Sequence, residues 1–410
     1  SNGIDSGNPG SKKHRIRDRL SKIRVLHMIT RLVRGGADEN TLHTVYGLDS
    51  EMFEVDLLFG RDSEPDEMAL ETRPNVSYLL FPDLRREINP VLDIMALWKL
   101  YVLMRKRKYH IVHTHTAKAG LLGRIAAFCA RTPVTIHSLH GATFGDFVSP
   151  IKRELYVALE KIGAAVCDSI ICVGEDLKQR YIQKKIGRAE KYCVIYSGMK
   201  LAPFYEASNV TYDEKLEIKI ALGIDSSALI VGNISRLESR KGHLFFIEAA
   251  KQILRHNPNV KFLIIGDGDS RKSLERKVKK MGLENDVLFV GFRKDIARII
   301  SILDVSVLTS LWEGLPRVLV QSAAAGKPIV SFAVEGVTEV VKEGTNGFVV
   351  ESMSVESLSE KISWLLDNPI SASKMGLSGQ KIIGDRWELT TMVREIQSLY
   401  GFLLTQKKIK

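Results

Sequence analysis

Cysteine is scarce in this chain, with 4 in 410 residues at Cys129, Cys167, Cys172 and Cys193. Their spacing fits neither a zinc site nor a redox pair, and their neighbours are apolar or small. They read as buried, reduced thiols. No apolar run approaches the ~20 residues that span a bilayer, and residues 1–24 carry no signal-peptide core, so a cytoplasmic protein is expected. Helix-turn-helix patterning, zinc-finger spacing and aromatic RNA-binding signatures are all missing, and no nucleic-acid partner is expected. Neither the GxGxxG dinucleotide fingerprint nor an H-E-x-x-H metal motif occurs. The opening "SNGIDSGNPGS" has no methionine and a flexible composition. Residues 1–21 are therefore set apart as a flexible basic N-terminal segment, an expression scar or a processed end.

What remains is ordinary globular composition, 45% hydrophobic and 26% charged, in a chain too long for one growing core. Two domains follow. The net charge of +11 is uneven: residues 1–200 hold 31 Lys+Arg against 23 Asp+Glu, and residues 201–410 hold 28 against 25. An excess in the first half suits an anionic membrane surface or a phosphorylated substrate, or is simply solvated charge.

Short β-branched runs recur as "RVLHMI", "EVDLLF", "HIVHTH", "VTIHSLH", "SIICVG" and "YCVIYSG", then as "LIVGNIS", "KFLIIGDG", "VLFVGF", "VSVLTS" and "PIVSFAV". Helical stretches such as 91–105 and 117–130 separate them, which is the alternation of parallel sheets covered on both faces. The fold class is α/β, with two doubly wound domains facing across a cleft. Residues 198–226 break the alternation and hold the connection between them. The last helical stretch places Leu389, Met392, Val393, Ile396, Leu399 and Phe402 on one face. Its simplest role is packing on the second domain.

Ligands of doubly wound sheets bind beyond the carboxyl ends of the strands, so the loops there carry the candidates. Gly35 and Gly36 precede a helix whose N-terminal N–H groups favour an anion, or else they only shape a tight turn. His113, His115, His137 and His140 lie at strand ends and invite a metal reading, but alternating histidines on strands more often pack or hydrogen-bond. His140 is best placed to reach the cleft. Arg236 and Lys241 follow the second domain's first strand ahead of Gly242 and a helix. A guanidinium fork and an ammonium there suit a diphosphate, lone surface charge being the alternative. Gly266 and Phe292 end two further strands and join the ligand-facing set. Asp267 and Asp269 form a D-x-D that reads as a turn rather than a metal site. In "LWEGLPRVLVQSAAAGKP", Pro316 suits a first helical turn and Gly326 with Pro328 ends the helix. Glu313 then sits at the cleft edge to accept from sugar hydroxyls, or complements the helix dipole. The N–H groups of Gly314 and Leu315 can meet phosphate, and Gln321 reaches a second group such as a ribose.

In order, "RGGADENTL", "HTHTAKAGLLGRIAA", "HSLHGATF", "SRLESRKGH", "GDGDSRKSLE" and "WEGLPRVLVQSAAAGKPIVS" make the chain, from about residue 22 to 400, resemble the family 4 retaining glycosyltransferases of the GT-B fold. The resemblance implies two Rossmann-like domains: 22–200 on the acceptor side, 201–385 holding the nucleotide sugar, and 386–410 a helix crossing back to the first. It implies transfer from a nucleotide sugar, which is a co-substrate, with no cofactor and no essential metal. By the same resemblance His140 contacts the transferred sugar, Arg236 and Lys241 the diphosphate, and Glu313 the sugar hydroxyls. Gly35, Gly36, Gly266, Phe292, Gly314, Leu315, Pro316 and Gln321 complete the donor site. The family's second acid of E-x7-E is Gln321 here, its GGAE is GGAD and its GDGP is GDGD.

The resulting expectation is a hexosyl- or N-acetylhexosaminyltransferase using a UDP-sugar in cell-surface glycan biosynthesis. Its acceptor would be lipid-linked, and it would lie peripherally on the inner face of the plasma membrane. The helix "NPVLDIMALWKLYVLMRKRKYH" ends in four basic residues, which face anionic lipid or simply complement the helix C-terminus. The alternatives are a non-hydrolysing nucleotide-sugar epimerase, and a basic membrane- or nucleic-acid-binding protein with a degenerate cleft.

Overall fold

Thirteen strands build two wholly parallel sheets in the computed structural model, which describes residues 22–33, 35–65, 70–145 and 148–409. The segment 1–21 set apart above lies outside the described residues. The first sheet contains β1 (Ile23–Ile29), β2 (Phe53–Gly60), β3 (Val76–Phe81), β4 (Ile111–His115), β5 (Val134–Leu139), β6 (Ser169–Cys172) and β7 (Tyr192–Val194). The second contains β8 (Leu229–Ile234), β9 (Val260–Ile265), β10 (Val287–Gly291), β11 (Val305–Leu308), β12 (Ile329–Phe332) and β13 (Gly347–Val350). Their orders, β3-β2-β1-β4-β5-β6-β7 and β10-β9-β8-β11-β12-β13, both reverse direction beside the first strand of the domain. Each reversal opens a crevice at the carboxyl ends of its strands.

Strand parity decides what each face carries. In β1, Val25 and Ile29 point into one buried cluster while Leu26 and Met28 point into another. The second of these faces is covered by the helices Pro90–Arg107 and Ala117–Ala130. The first is covered by the helix Gly36–Gly47 and by the last helix, Leu389–Gln406. That last helix buries Met392, Val393, Ile396, Tyr400, Leu403 and Leu404. It packs on the first domain, not the second, and Phe402 of the face read from sequence points outward at 58% exposure. A helix continued for one more turn places Tyr400 and Leu403 inward instead.

Two strands escaped the reading of hydrophobic runs, β3 and β13. Both are edge strands, β3 with a mixed burial pattern and β13 with only its end residues fully buried, so neither shows a buried run. Cys129 also departs from expectation: it is exposed, while Cys167 and Cys172 are buried and Cys193 is intermediate. Burial pushes the thiols of Cys167 and Cys172 up, that of Cys167 to about 11. A third buried cluster runs from Leu177 and Tyr181 of the first domain through Leu315, Leu319 and Val337 of the second to Trp387. The two domains thus share apolar core at their junction.

Candidate active site

A cleft of about 1540 Å³ lies between the two domains. His113, His115, His137 and Asp269 do not line it, whereas the twelve residues that the resemblance assigns to the donor site and its chemistry all do. On the first domain these are Gly35, Gly36 and His140; on the second they are Arg236, Lys241, Gly266, Phe292, Glu313, Gly314, Leu315, Pro316 and Gln321.

Glycine is required at two points. Gly242 adopts φ +63°, and a Cβ there would stand 2.1 Å from the carbonyl oxygen of Thr309. No other residue lets the Arg236–Lys241 loop lie so close to the end of β11 before the helix His243–Leu254 begins. A Cβ on Gly314 would meet the backbone oxygen of His140 at 2.1 Å. Gly314 is where the second domain's loop touches the first domain's His140–Gly141 loop, which accounts for the glycine in "WEGLP". Pro316 stands at the N-cap of the helix Arg317–Ala324, one position earlier than the first-turn reading.

The Lys241 ammonium donates to Glu313 Oε1 at 2.5 Å, with both side chains mostly buried at 13% and 11% exposure. The guanidinium of Arg236 is half exposed and pairs with Glu238 at 3.1 Å. Lys241 and Glu313 thus place a cation and a carboxylate side by side on the cleft wall, an arrangement able to serve a phosphate and a hydroxyl on adjoining groups of one ligand.

His140 lines the cleft, and its Nε2 is hydrogen-bonded to His115 Nδ1 at 3.1 Å. Burial, helped by the charge of Arg317, holds this imidazole down at about 4, so it acts near neutral pH as an uncharged hydrogen-bonding group. Asp38, in the first turn of the helix Gly36–Gly47, is pushed up to about 6 by burial, against the N–H of Val33 and the charges of Arg31 and Arg236. Asp267 accepts from the Gly268 N–H at 2.8 Å and from Arg271 at 3.2 Å, which is the turn geometry read from sequence. The other histidines do hydrogen-bond: His137 with Thr114 at 2.9 Å, and His113 with Ser138 at 2.8 Å. His27, which drew no attention in the sequence, joins His113 and His115, with ligand atoms within 4.8 Å of one another.

Sequence reasoning missed the residues that hold the cleft walls together. Arg317 reaches across to Glu39 at 3.1 Å and to the Gly36 carbonyl at 3.3 Å. Arg180 pairs with Glu335 at 2.5 Å, and burial pushes the Glu335 carboxyl up to about 7 in spite of that partner. Asp176 accepts from the Gly336 N–H at 3.2 Å and from Thr338 at 3.1 Å. Their partners lie 155 or more positions apart in the chain, so no local spacing could reveal them.

Two family models match: "Glycosyl transferase 4-like domain" over residues 35–198 and "Glycosyl transferases group 1" over residues 214–382. The chain is 30% identical over 390 residues to the UDP-Gal:alpha-D-GlcNAc-diphosphoundecaprenol alpha-1,3-galactosyltransferase of Escherichia coli, covering 94% of this chain and 99% of that protein. It is 26% identical to the capsular polysaccharide biosynthesis glycosyltransferase CapM of Staphylococcus aureus, over 80% of this chain and 86% of the relative. Among solved structures, Anabaena HepE in complex with UDP and glucose superposes with a TM-score of 0.78 at 22% identity, covering 92% of this chain and 99% of that one. WaaG, a glycosyltransferase involved in lipopolysaccharide biosynthesis, gives 0.73 at 15% identity, over 92% of this chain and 99% of its own. With the ordered motifs, the paired sheets and the full-length likeness together, the chain belongs to the family 4 glycosyltransferases of the GT-B fold.

Proposed function

We propose that this protein transfers a hexose or N-acetylhexosamine from a UDP-sugar, with retention, to a hydroxyl of a lipid-linked acceptor during cell-surface glycan assembly. The observation that carries the reading is the Lys241–Glu313 pair at the edge of a cleft whose far wall presents a neutral His140. The anomeric C1–O bond breaks and its electrons leave on the diphosphate, where Arg236 and Lys241 meet the growing charge. The acceptor oxygen bonds C1 on the same face, and its proton passes to the departing phosphate oxygen, the nearest base on that side. Glu313 accepts from hydroxyls of the ring, and His140 completes their enclosure. Two cations positioned this way neutralise the leaving group without a divalent metal. The donor and acceptor classes come from the galactosyltransferase relative, whose name carries UDP-galactose and a diphospholipid-linked sugar.

The test is a panel of UDP-sugars offered with and without a diphospholipid-linked GlcNAc, in chelator. Acceptor-dependent UDP release is the expected result. Epimerised donor with no acceptor requirement would replace transfer by epimerisation, and activity lost to chelator but restored by manganese would remove the metal-free part. Within that assay Gln321→Ala should raise the donor KM about fivefold with kcat nearly unchanged, the loss of one ribose hydrogen bond of about 1 kcal/mol. Gln321→Glu should hold or lower KM. A fall in kcat at constant KM would move Gln321 out of the ribose site.

The membrane-side reading rests on the helix Pro90–Arg107. Val91, Ile94, Met95, Trp98 and Val102 are exposed along one face while Ala96, Leu100 and Met104 are buried on the other. The stripe ends in the exposed basic residues Arg105, Lys106, Arg107 and Lys108. An apolar face closed by cations is complementary to an anionic bilayer surface, where Trp98 suits the interface. No helix among the described residues is long and apolar enough to cross a membrane. Sedimentation with vesicles containing anionic lipid is expected, weakened at high salt and severalfold by Trp98→Ala with Arg105→Ala. Equal binding to neutral vesicles would sink this assignment.

A further inference from the structure

A continuous hydrogen-bonded chain of side chains runs through the first domain and ends at the cleft. It passes from Ser138 Oγ to His113 Nε2 at 2.8 Å, and from His113 Nδ1 to Tyr400 Oη at 2.6 Å. From Tyr400 it continues to His27 Nε2 at 3.2 Å, from His27 Nδ1 to His115 Nε2 at 3.0 Å, and from His115 Nδ1 to His140 Nε2 at 3.1 Å. Strand parity assembles it. His27 of β1 pairs in register with His113 of β4, His115 follows two residues later on the same face, and Ser138 of β5 lies opposite His115. Tyr400 arrives from the last helix, 373 residues from His27. His27, His113, His115 and Tyr400 are wholly buried.

Burial keeps these imidazoles neutral, holding His27 at about 3 and His113 and His115 well below the ordinary histidine range. Each ring then carries one proton, and all six ring nitrogens of His27, His113 and His115 already have partners, which accounts for this cluster without a metal ion. Only two proton arrangements satisfy every bond and also let the buried Tyr400 hydroxyl donate its proton. If the Tyr400 hydroxyl donates to His113, then His27, His115 and His140 each carry their proton on Nε2. If it donates to His27, every ring carries its proton on Nδ1. An O–H donor makes the shorter bond. The 2.6 Å contact to His113 against 3.2 Å to His27 selects the first arrangement.

We propose that this chain fixes the tautomer of His140, with Tyr400 as the positioning residue that sets its direction, so that His140 offers Nδ1 to the cleft as a hydrogen-bond acceptor. The tautomer stands on the burial and hydrogen-bond geometry of the chain; its consequence for turnover rests on the reading of His140 as a sugar-binding residue. A donor sugar hydroxyl would donate to that nitrogen, and the C-terminal helix would be wired to the reaction centre through three imidazoles. Because the three protons are correlated, a change at Tyr400 is felt at His140 without any movement of the backbone.

The experiment is ring-nitrogen NMR on the full chain labelled with 15N-histidine, with the His140 signals assigned by their loss in His140→Gln. In the unmodified protein His140 should be protonated at Nε2 alone. In Tyr400→Phe, which keeps the aromatic packing and removes the hydroxyl, His140 should become a mixture of tautomers, and kcat should fall about tenfold while the donor KM stays within about twofold. His27→Gln breaks the chain one step nearer and should release His140 in the same way, which keeps the test open if Tyr400→Phe does not fold. A wild-type His140 protonated at Nδ1, or a tautomer unaltered in both variants, would overturn the proposal. If the tautomer shifts as expected but no sugar donor is turned over, the relay stands and the transferase reading of His140 falls.

Discussion

Lys241→Ala is expected to slow transfer about a hundredfold, close to 3 kcal/mol of transition-state stabilisation, and to loosen the fold at the same time. The rate effect follows from charge that develops on the leaving diphosphate and would no longer meet the ammonium. The stability effect follows from Glu313, which loses the cation paired with it in a mostly buried position. Leaving a largely buried carboxylate without its cation costs on the order of 1–3 kcal/mol. Arg236→Ala should lose a similar factor in rate with little change in stability, because its guanidinium is half exposed and its partner Glu238 also holds Arg240 at 2.7 Å. The double variant Lys241→Ala with Glu313→Gln separates the two effects: its melting temperature should recover toward that of the unmodified protein, while turnover stays low. Rates near normal in Lys241→Ala, with the folded fraction verified, would take this residue out of the mechanism.

The fold was legible wherever a strand is buried on both faces, since a short β-branched run bounded by turn residues fits a buried strand better than any helix. It was illegible at two of the four sheet edges, β3 and β13. In β3, "VSYLLF" leaves Ser77 and Leu80 exposed, and in β13 "GFVV" opens on a glycine and only half-buries Phe348 and Val349. The last helix shows the same limit in another form: its period was readable, but the surface it covers was not, because a helical face does not say which sheet lies beneath it.

At the site, residue types adjacent to strand ends could be chosen one by one, and these choices line one cleft. The relations between them could not. That Lys241 meets Glu313, that Arg317 reaches Glu39 across the domains, and that Tyr400 touches both His27 and His113 are facts about chain segments 72 to 373 positions apart. Local spacing carries no information about such pairs. His27 illustrates the point, since nothing marks a single histidine inside "RVLHMI" until register sets it beside His113.

Glu313→Gln is the second large effect, expected as a fall in kcat of tenfold or more with a donor KM that holds or drops. The amide keeps the size of the carboxylate and still accepts hydrogen bonds from sugar hydroxyls, so ground-state binding loses little. What disappears is the charge. A charged acceptor makes hydrogen bonds roughly twice as strong as a neutral one, and that difference grows as the anomeric centre becomes cationic and polarises the ring hydroxyls. Lys241 adds a second consequence. In this structure its ammonium is held by Glu313 at 2.5 Å, and a diphosphate must compete with that carboxylate for it. With a neutral amide at 313 the competition weakens, so the donor should bind no worse, although the bound donor reacts more slowly. The alternative role, a carboxylate serving only the dipole of the helix Arg317–Ala324, predicts a loss of about 0.3–1 kcal/mol in stability with kcat untouched. Initial rates across donor concentration, with a thermal melt of the same preparation, distinguish these outcomes: a raised KM at constant kcat would make Glu313 a ground-state binding group, and a lowered melting temperature with unchanged kinetics would return it to the helix.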